Sequence, residues 1–278
     1  MRGNEVWLSN PLFMNDIDEV RFGINVGANL FLTSVEIESA CGNKARFELL
    51  KNAFNFYHDR FANEHVLDTY VFCLAEHDKD DDDGLLSIWR GYGGSGSGAA
   101  IVFDSSKLAV RETSPLVVAK VEYGSKDERT KWLQQLVTQF AQILTGSAIP
   151  DDKLHLASHV FIERMKLFAV FSKDRGFREE REWRVAYMRD RDGKKLLDRM
   201  FGYWIGPRGV EPKLKFKVEH IPDVTADDFS LSKLVDRIIL GPSLSSPLAR
   251  PTVLKMLDTL GRSEFKDRIK SSTIPFRA

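Results

Sequence analysis

Cysteine is nearly absent from this chain, which carries two in 278 residues, Cys41 and Cys73. They form no CxxC pair, and no second pair exists to complete a zinc site. Cys73 lies in the apolar run Tyr70 to Leu74, where a buried thiol behaves as a small hydrophobe. No apolar stretch approaches the roughly 20 residues a membrane span needs. The start, Met1-Arg2-Gly3-Asn4-Glu5, has no apolar h-region. A soluble, reduced, cytoplasmic protein with no membrane partner is expected. Net charge is missing too: Lys+Arg and Asp+Glu number 40 each, which argues against a dedicated DNA-binding or membrane-surface protein. The chain lacks GxSxG and HExxH, and it lacks the HRD and DFG motifs of protein kinases.

The balance hides a local asymmetry. Between Arg164 and Lys217 stand sixteen Lys/Arg against eight Asp/Glu, whereas Glu76 to Asp83 holds six acids and one lysine. The basic segment suits a phosphate-bearing ligand or polynucleotide, or else a solvated helix-and-loop face. With 43% hydrophobic and 11% aromatic residues, the chain has enough apolar surface for a sizeable core.

Periodicity predicts a strand at Glu5–Ser9 and a helix opening at Asn15-Asp16, with Asp16 and Glu19 spaced as a capping box. Phe47, Leu50, Phe54, Tyr57 and Phe61 recur at three and four and predict a helix over 44–61. Further helices are expected at 85–92, 127–144, 151–171 and 245–260. Strands are expected at 67–74, 99–103, 116–123, 183–188, 201–205, 214–220 and 235–240. Strands scattered among helices, with no repeat and no long linker, predict one α+β domain over 1–278, its mixed or split β-sheet core surrounded by helices.

Gly91-Tyr92-Gly93-Gly94-Ser95-Gly96 satisfies GxGxxG, but a dinucleotide fingerprint follows a strand and opens a helix, and here a strand follows. A flexible glycine loop beside Trp89, Arg90 and Tyr92 remains, where backbone can approach a ligand closely. Asp78, Asp80 and Asp82 imitate the start of a calcium loop, yet Asp83 and Trp89 stand where its Gly and Glu belong. His155, His159 and Glu163 share a helical face, with no third ligand evident.

Glu180-Arg181-Glu182-Trp183-Arg184 is the densest segment. Alternation puts Trp183, Val185 and Tyr187 on one face of a strand, and Glu182, Arg184 and Ala186 on the other, with Glu180 in register. Two acids and an arginine on one side of a sheet can hold a sugar hydroxyl or a developing cation. The same residues could form a solvated edge strand whose charges pair with each other.

Five segments in order carry a resemblance. They are Trp7-Leu8-Ser9-Asn10-Pro11 with Met14-Asn15-Asp16, then Phe72 to Glu76, then Trp89-Arg90-Gly91-Tyr92 with Gly98 to Phe103. Phe171-Ser172-Lys173 with Glu180 to Arg184 follows, and Ile238 to Pro242 closes the series. In that order and spacing the chain resembles the bacterial family known as domain of unknown function twenty-nine seventy-one. Its layout is in turn similar, at the level of fold, to ADP-ribosyltransferase toxins of the DNA-modifying and diphtheria-like kind. That second likeness implies an enzyme using NAD as substrate, without a metal, to modify a macromolecular acceptor, nucleic acid or protein. A toxin or phage-defence effector with an antitoxin or defence-system partner would fit. Breaking the nicotinamide bond builds positive charge on the ribose, so Glu182 would face that charge and Glu180 would serve the acceptor side. Trp89 and Tyr92 would stack the nicotinamide, Arg184 would hold phosphate, and Trp7, Ser9, Asn15 and Asp16 would line the cofactor site. The alternative is a non-catalytic nucleotide-sensing or protein-interaction domain, in which Glu180, Glu182 and Arg184 form a structural ion-pair lattice.

Overall fold

A computed structural model describes residues 3–14, 17–94, 96–108, 110–206, 209–242 and 248–276. Asn15 and Asp16 lie outside the described residues. In chain order the elements begin with β1 (Glu5–Ser9), α1 (Ile17–Leu32), α2 (Val35–Cys41), α3 (Lys44–Asn63), β2 (Thr69–Ala75), α4 (Leu86–Tyr92) and β3 (Ala99–Phe103). Then come β4 (Leu116–Lys120), β5 (Glu122–Gly124), α5 (Lys126–Gly146), α6 (Leu154–Phe171), β6 (Ser172–Asp174) and β7 (Glu182–Met188). The last are β8 (Phe201–Gly206), β9 (Gly209–Lys217), α7 (Leu231–Leu234), β10 (Val235–Leu240), α8 (Ala249–Thr259) and β11 (Ile269–Ser271). The architecture is α+β. No helix among the described residues is long and apolar enough to cross a membrane.

Local chemistry sets the helices. Asn43 caps α3 by accepting the Arg46 N–H at 2.9 Å. Ser125 and Glu128 close a reciprocal capping box on α5. Phe31, Phe54, Phe140 and Phe161, one each from α1, α3, α5 and α6, meet in the helical core, with Phe31 and Phe54 stacked at 4.1 Å. Gly23 lets α1 lie close on α6, since a Cβ there would stand 2.7 Å from the Ala169 backbone.

Six strands form one antiparallel sheet in the order β4-β7-β2-β1-β9-β8. A second sheet, β11-β10-β3, covers one of its faces, and between them lie Leu8, Phe72, Val185, Phe216 and Phe229 around an apolar cavity of about 50 Å³. Register puts Glu182 and Arg184 beside Ala75 and Cys73, and Trp7 and Ser9 beside Lys215 and Lys213, on the opposite face. There the end of α6 packs on the sheet through Val170, against Val71, Ala186 and Met188. This apolar cavity is therefore on the far side of the sheet from the charged residues and offers a ligand no polar anchor.

Two expected elements are corrected. The strand predicted over 116–123 breaks at Val121, because β4 pairs with β7 while β5 leaves to pair with β6. The strand predicted over 214–220 starts at Gly209, where a hairpin with β8 carries the ladder past Pro212.

Many charges of the two runs are paired within the chain, although Asp78, Asp80, Arg175 and Arg178 among others are exposed. Asp82 pairs with Arg237 at 2.5 Å and with Lys270 at 3.4 Å. Asp83 accepts from the Ser272 and Thr273 hydroxyls at 3.2 and 3.0 Å. Glu76 holds Lys120 at 2.6 Å and Arg181 at 3.1 Å. In the basic segment, Arg189 bonds Asp198, Lys213 bonds Glu211, Lys217 bonds Glu5, and Lys166 sits between Glu163 and Asp190. Of these partners Glu5 and Glu163 lie outside the segment, and with Glu76 and Asp78 on Arg181 and Asp223 on Lys194 they offset part of its excess charge.

Candidate functional site

Glu180 and Glu182 are aimed by the turn between β6 and β7. Asp174 caps that turn, accepting from the Gly176 N–H at 2.9 Å. Arg181 closes it in the left-handed region at φ 45°, a conformation that costs a residue with a Cβ about 1–2 kcal/mol. It is held there by its carbonyl, which accepts from the Glu76 N–H, and by its guanidinium on Glu76 and Asp78. The turn brings both carboxylates onto Lys173.

Lys173 enters from β6 and is 1% exposed. Its Nζ lies 2.7 Å from Glu180 Oε2, 3.3 Å from Glu182 Oε2, and 4.6 Å from the centre of the Phe177 ring. Arg184 grips Glu182 with both ends of its fork, Nε to Oε1 at 2.8 Å and Nη2 to Oε2 at 3.1 Å. Its Nη1 donates to the Val170 carbonyl at 2.5 Å. The Tyr123 hydroxyl accepts from the Glu182 N–H at 2.9 Å, and the Tyr92 hydroxyl donates to Glu180 Oε1 at 3.2 Å. Lys173, Arg184, Glu180 and Glu182 sum to zero formal charge. A buried group of ions survives only when it is balanced in this way.

Burial pushes the Glu182 carboxyl up. The hydrogen bond and charge of Arg184, the Cys73 thiol and Lys173 outweigh that push and hold it below the ordinary range. Cys73 moves the opposite way: burial, reinforced by the Glu182 charge, raises its thiol well above the usual value. It is a neutral neighbour of the carboxylate and not a thiolate nucleophile.

Several expectations on these residues change. Glu182 is 4% exposed, and β7 runs between β4 and β2, so it is no solvated edge strand. The charged face is buried like the apolar one, and only Trp183 is exposed on β7, with its Nε1 on Glu76 at 3.3 Å. The Arg184 guanidinium is turned inward to Glu182 and Val170, away from any phosphate in solvent. Trp89 is 3% exposed, its Nε1 donates to the Asp83 carbonyl at 2.8 Å, and Gly84 and Gly93 close against its ring. It anchors α4 and presents no open stacking face. Tyr92, one helical turn on, is 65% exposed and reaches Glu180.

Trp7 and Ser9 share the sheet face with Glu182 but bond elsewhere. Lys215 lies over the Trp7 ring at 4.6 Å, and Lys213 donates to Ser9 at 2.9 Å and to Glu211 at 2.9 Å. Sequence reasoning gave no role to Lys173, Tyr123 or Phe177. Lys173 stood inside the quoted Phe171-Ser172-Lys173 segment; Tyr123 carried no signal, since only the β5–β6 pairing brings it to Glu182.

No curated protein and no solved structure matches the chain. Residues 88–185 match the model of a family described as "Protein of unknown function (DUF2971)". That stretch supplies Tyr92, Tyr123, Lys173, Glu180, Glu182 and Arg184, and it is this part of the chain that is similar to that family.

Proposed function

We propose that the chain is an ADP-ribosyltransferase-like enzyme that uses NAD to modify a macromolecular acceptor, with Glu180 as the carboxylate facing the reacting ribose. One observation carries this reading: a buried lattice of Lys173, Glu182 and Arg184 is brought to neutrality by Glu180, which is partly exposed beside the exposed ring of Tyr92, with the exposed Phe177 ring against Lys173. Aromatic rings flanking a fixed carboxylate suit a ligand with a planar base and a sugar hydroxyl. As the bond from ribose C1′ to the nicotinamide nitrogen breaks, its electron pair leaves with nicotinamide, and Glu180 offsets the charge on the ribose. The acceptor's nucleophile then bonds C1′ and gives its proton to Glu180. Glu182 is reassigned as a positioning residue, since Arg184 and Lys173 already engage both of its oxygens. Arg175 and Arg178, exposed on the same turn, replace Arg184 as the cations for pyrophosphate.

The test is incubation of the pure chain with labelled NAD and cell extract. Label transfer that Glu180→Gln abolishes, with melting temperature unchanged, supports the enzyme. Absence of NAD turnover by the wild-type chain at millimolar NAD refutes it.

The engagement of both Glu182 oxygens also favours a second reading, a non-catalytic nucleotide-sensing or protein-interaction domain. In that case NAD raises the melting temperature without being consumed.

A further inference from the structure

At the margin of the six-stranded sheet furthest from β4, the outermost strand is β8, Phe-Gly-Tyr-Trp-Ile-Gly, without a charge or a proline. It runs in unbroken register with β9 from Phe201↔Leu214 to Gly206↔Gly209, and among the described residues no strand pairs with its other side. Edge strands are ordinarily blunted by lysine, proline, a bulge or a covering element, because their free N–H and C=O groups invite pairing. β8 has none of the first three. Its apolar face continues outward from Phe201 and Leu214, which reach the core, to Tyr203, Ile205 and Val210, which are 70%, 79% and 59% exposed.

We infer that β8 is a self-association surface, pairing antiparallel with β8 of a second copy about a two-fold axis at Trp204. That register sets Tyr203 opposite Ile205 of the other copy, an aromatic against a β-branched side chain, which is a favourable cross-strand pair. On the reverse face it sets Gly202 opposite Gly206, and the Trp204 ring of each copy lies over its own Gly206. Three features favour a second copy as the occupant. The strand is self-complementary about its centre, it carries no charge to repel itself, and the chain as a whole has zero formal net charge, so no long-range repulsion opposes the encounter. Tyr203, Trp204, Ile205 and Val210 would bring roughly 450 Å² per copy, about 900 Å² in all, below the ~1,200 Å² of a stable interface. A reversible dimer in the micromolar range is the expectation.

Sedimentation velocity of the full chain from about 1 to about 200 μM tests this. The expected mass rises from 31.7 kDa toward twice that value. Tyr203→Lys and Ile205→Lys, at exposed positions, should each weaken association at least about tenfold and leave the melting temperature unchanged. Directly opposed residues of an antiparallel pair stand about 4.5–5.5 Å apart at Cα, within disulfide range. Trp204→Cys, oxidised beside the wild-type chain as control, should therefore give a covalent dimer that the wild type does not. A monomer at every concentration with no covalent dimer from Trp204→Cys overturns the proposal. So does a dimer that survives both lysine variants.

Discussion

Replacing Arg184 by methionine tests whether the charge lattice is a unit. The side chain is buried, engages both Glu182 oxygens at 2.8 and 3.1 Å, and gives a third bond to the Val170 carbonyl. Methionine keeps the stem and removes three donated hydrogen bonds and one charge. Breaking a buried ion pair by deleting one partner costs about 3–5 kcal/mol. Lys173 stays 3.3 Å from the stranded carboxylate, so the low end, about 3 kcal/mol, is expected. At about 2 °C per kcal/mol for a chain of this size, the melting temperature falls by roughly 6 °C. Urea unfolding followed by tryptophan fluorescence measures the loss. Glu182→Gln should cost a similar amount, and the double variant should cost at least about 1 kcal/mol less than the sum, as contacting residues do. Strictly additive losses, or a loss below about 1 kcal/mol for Arg184→Met, would show that the lattice is not coupled as described.

Trp89→Ala should lower stability by about 3–5 kcal/mol, because the ring is buried and its Nε1 caps the Asp83 carbonyl; a variant within 1 kcal/mol of wild type in urea contradicts its role as an anchor. Gly23→Ala should cost about 1–3 kcal/mol, since its Cβ meets Ala169 backbone at 2.7 Å. Gly27→Ala should cost less, since its Cβ meets the unbranched Met165 side chain and not backbone, and equal losses in thermal melts would count against that packing. Lys120, Arg181 and Trp183 hold the Glu76 carboxyl down at about 2 from an ordinary 4.5. Its contribution is thus present above about pH 4.5 and is lost as pH falls toward 2. Glu76→Gln should flatten the melting-temperature profile across that window, and added salt should do the same in the wild type because the group is partly exposed.

The sequence made the larger elements legible because their signals are local. Phe47, Leu50, Phe54, Tyr57 and Phe61 recur at helical spacing, and all five fall in or beside the helical core as expected. What it concealed depends on partners distant along the chain. β6 is three residues long, and its pairing with β5 exists only once α5 and α6 have been laid down between them. Lys173 therefore had no visible role, although it is the hub of the cluster. The two faces of β7 were separated correctly, but nothing local says that α6 will cover the charged one. Trp89 beside a glycine loop suggested an open ring; Gly84 and Gly93 instead let backbone close over it.

The acidic loop has a consequence for how the chain emerges during synthesis. Asp82 and Asp83 find their partners at Arg237, Lys270, Ser272 and Thr273, up to 190 residues later. Until those residues have left the ribosome, the loop is a dense patch of negative charge with half its cations unmade. The helical core of α1, α3, α5 and α6 is complete by Phe171 and can assemble without waiting. Vectorial synthesis should therefore yield a nascent chain with a formed helical layer and a loose β-rich remainder, sealed when the last strand arrives. Ribosome-stalled chains that end before or after Thr273, each extended by a linker long enough to clear the exit tunnel, should then differ sharply in protease resistance at the loop and little in the helices.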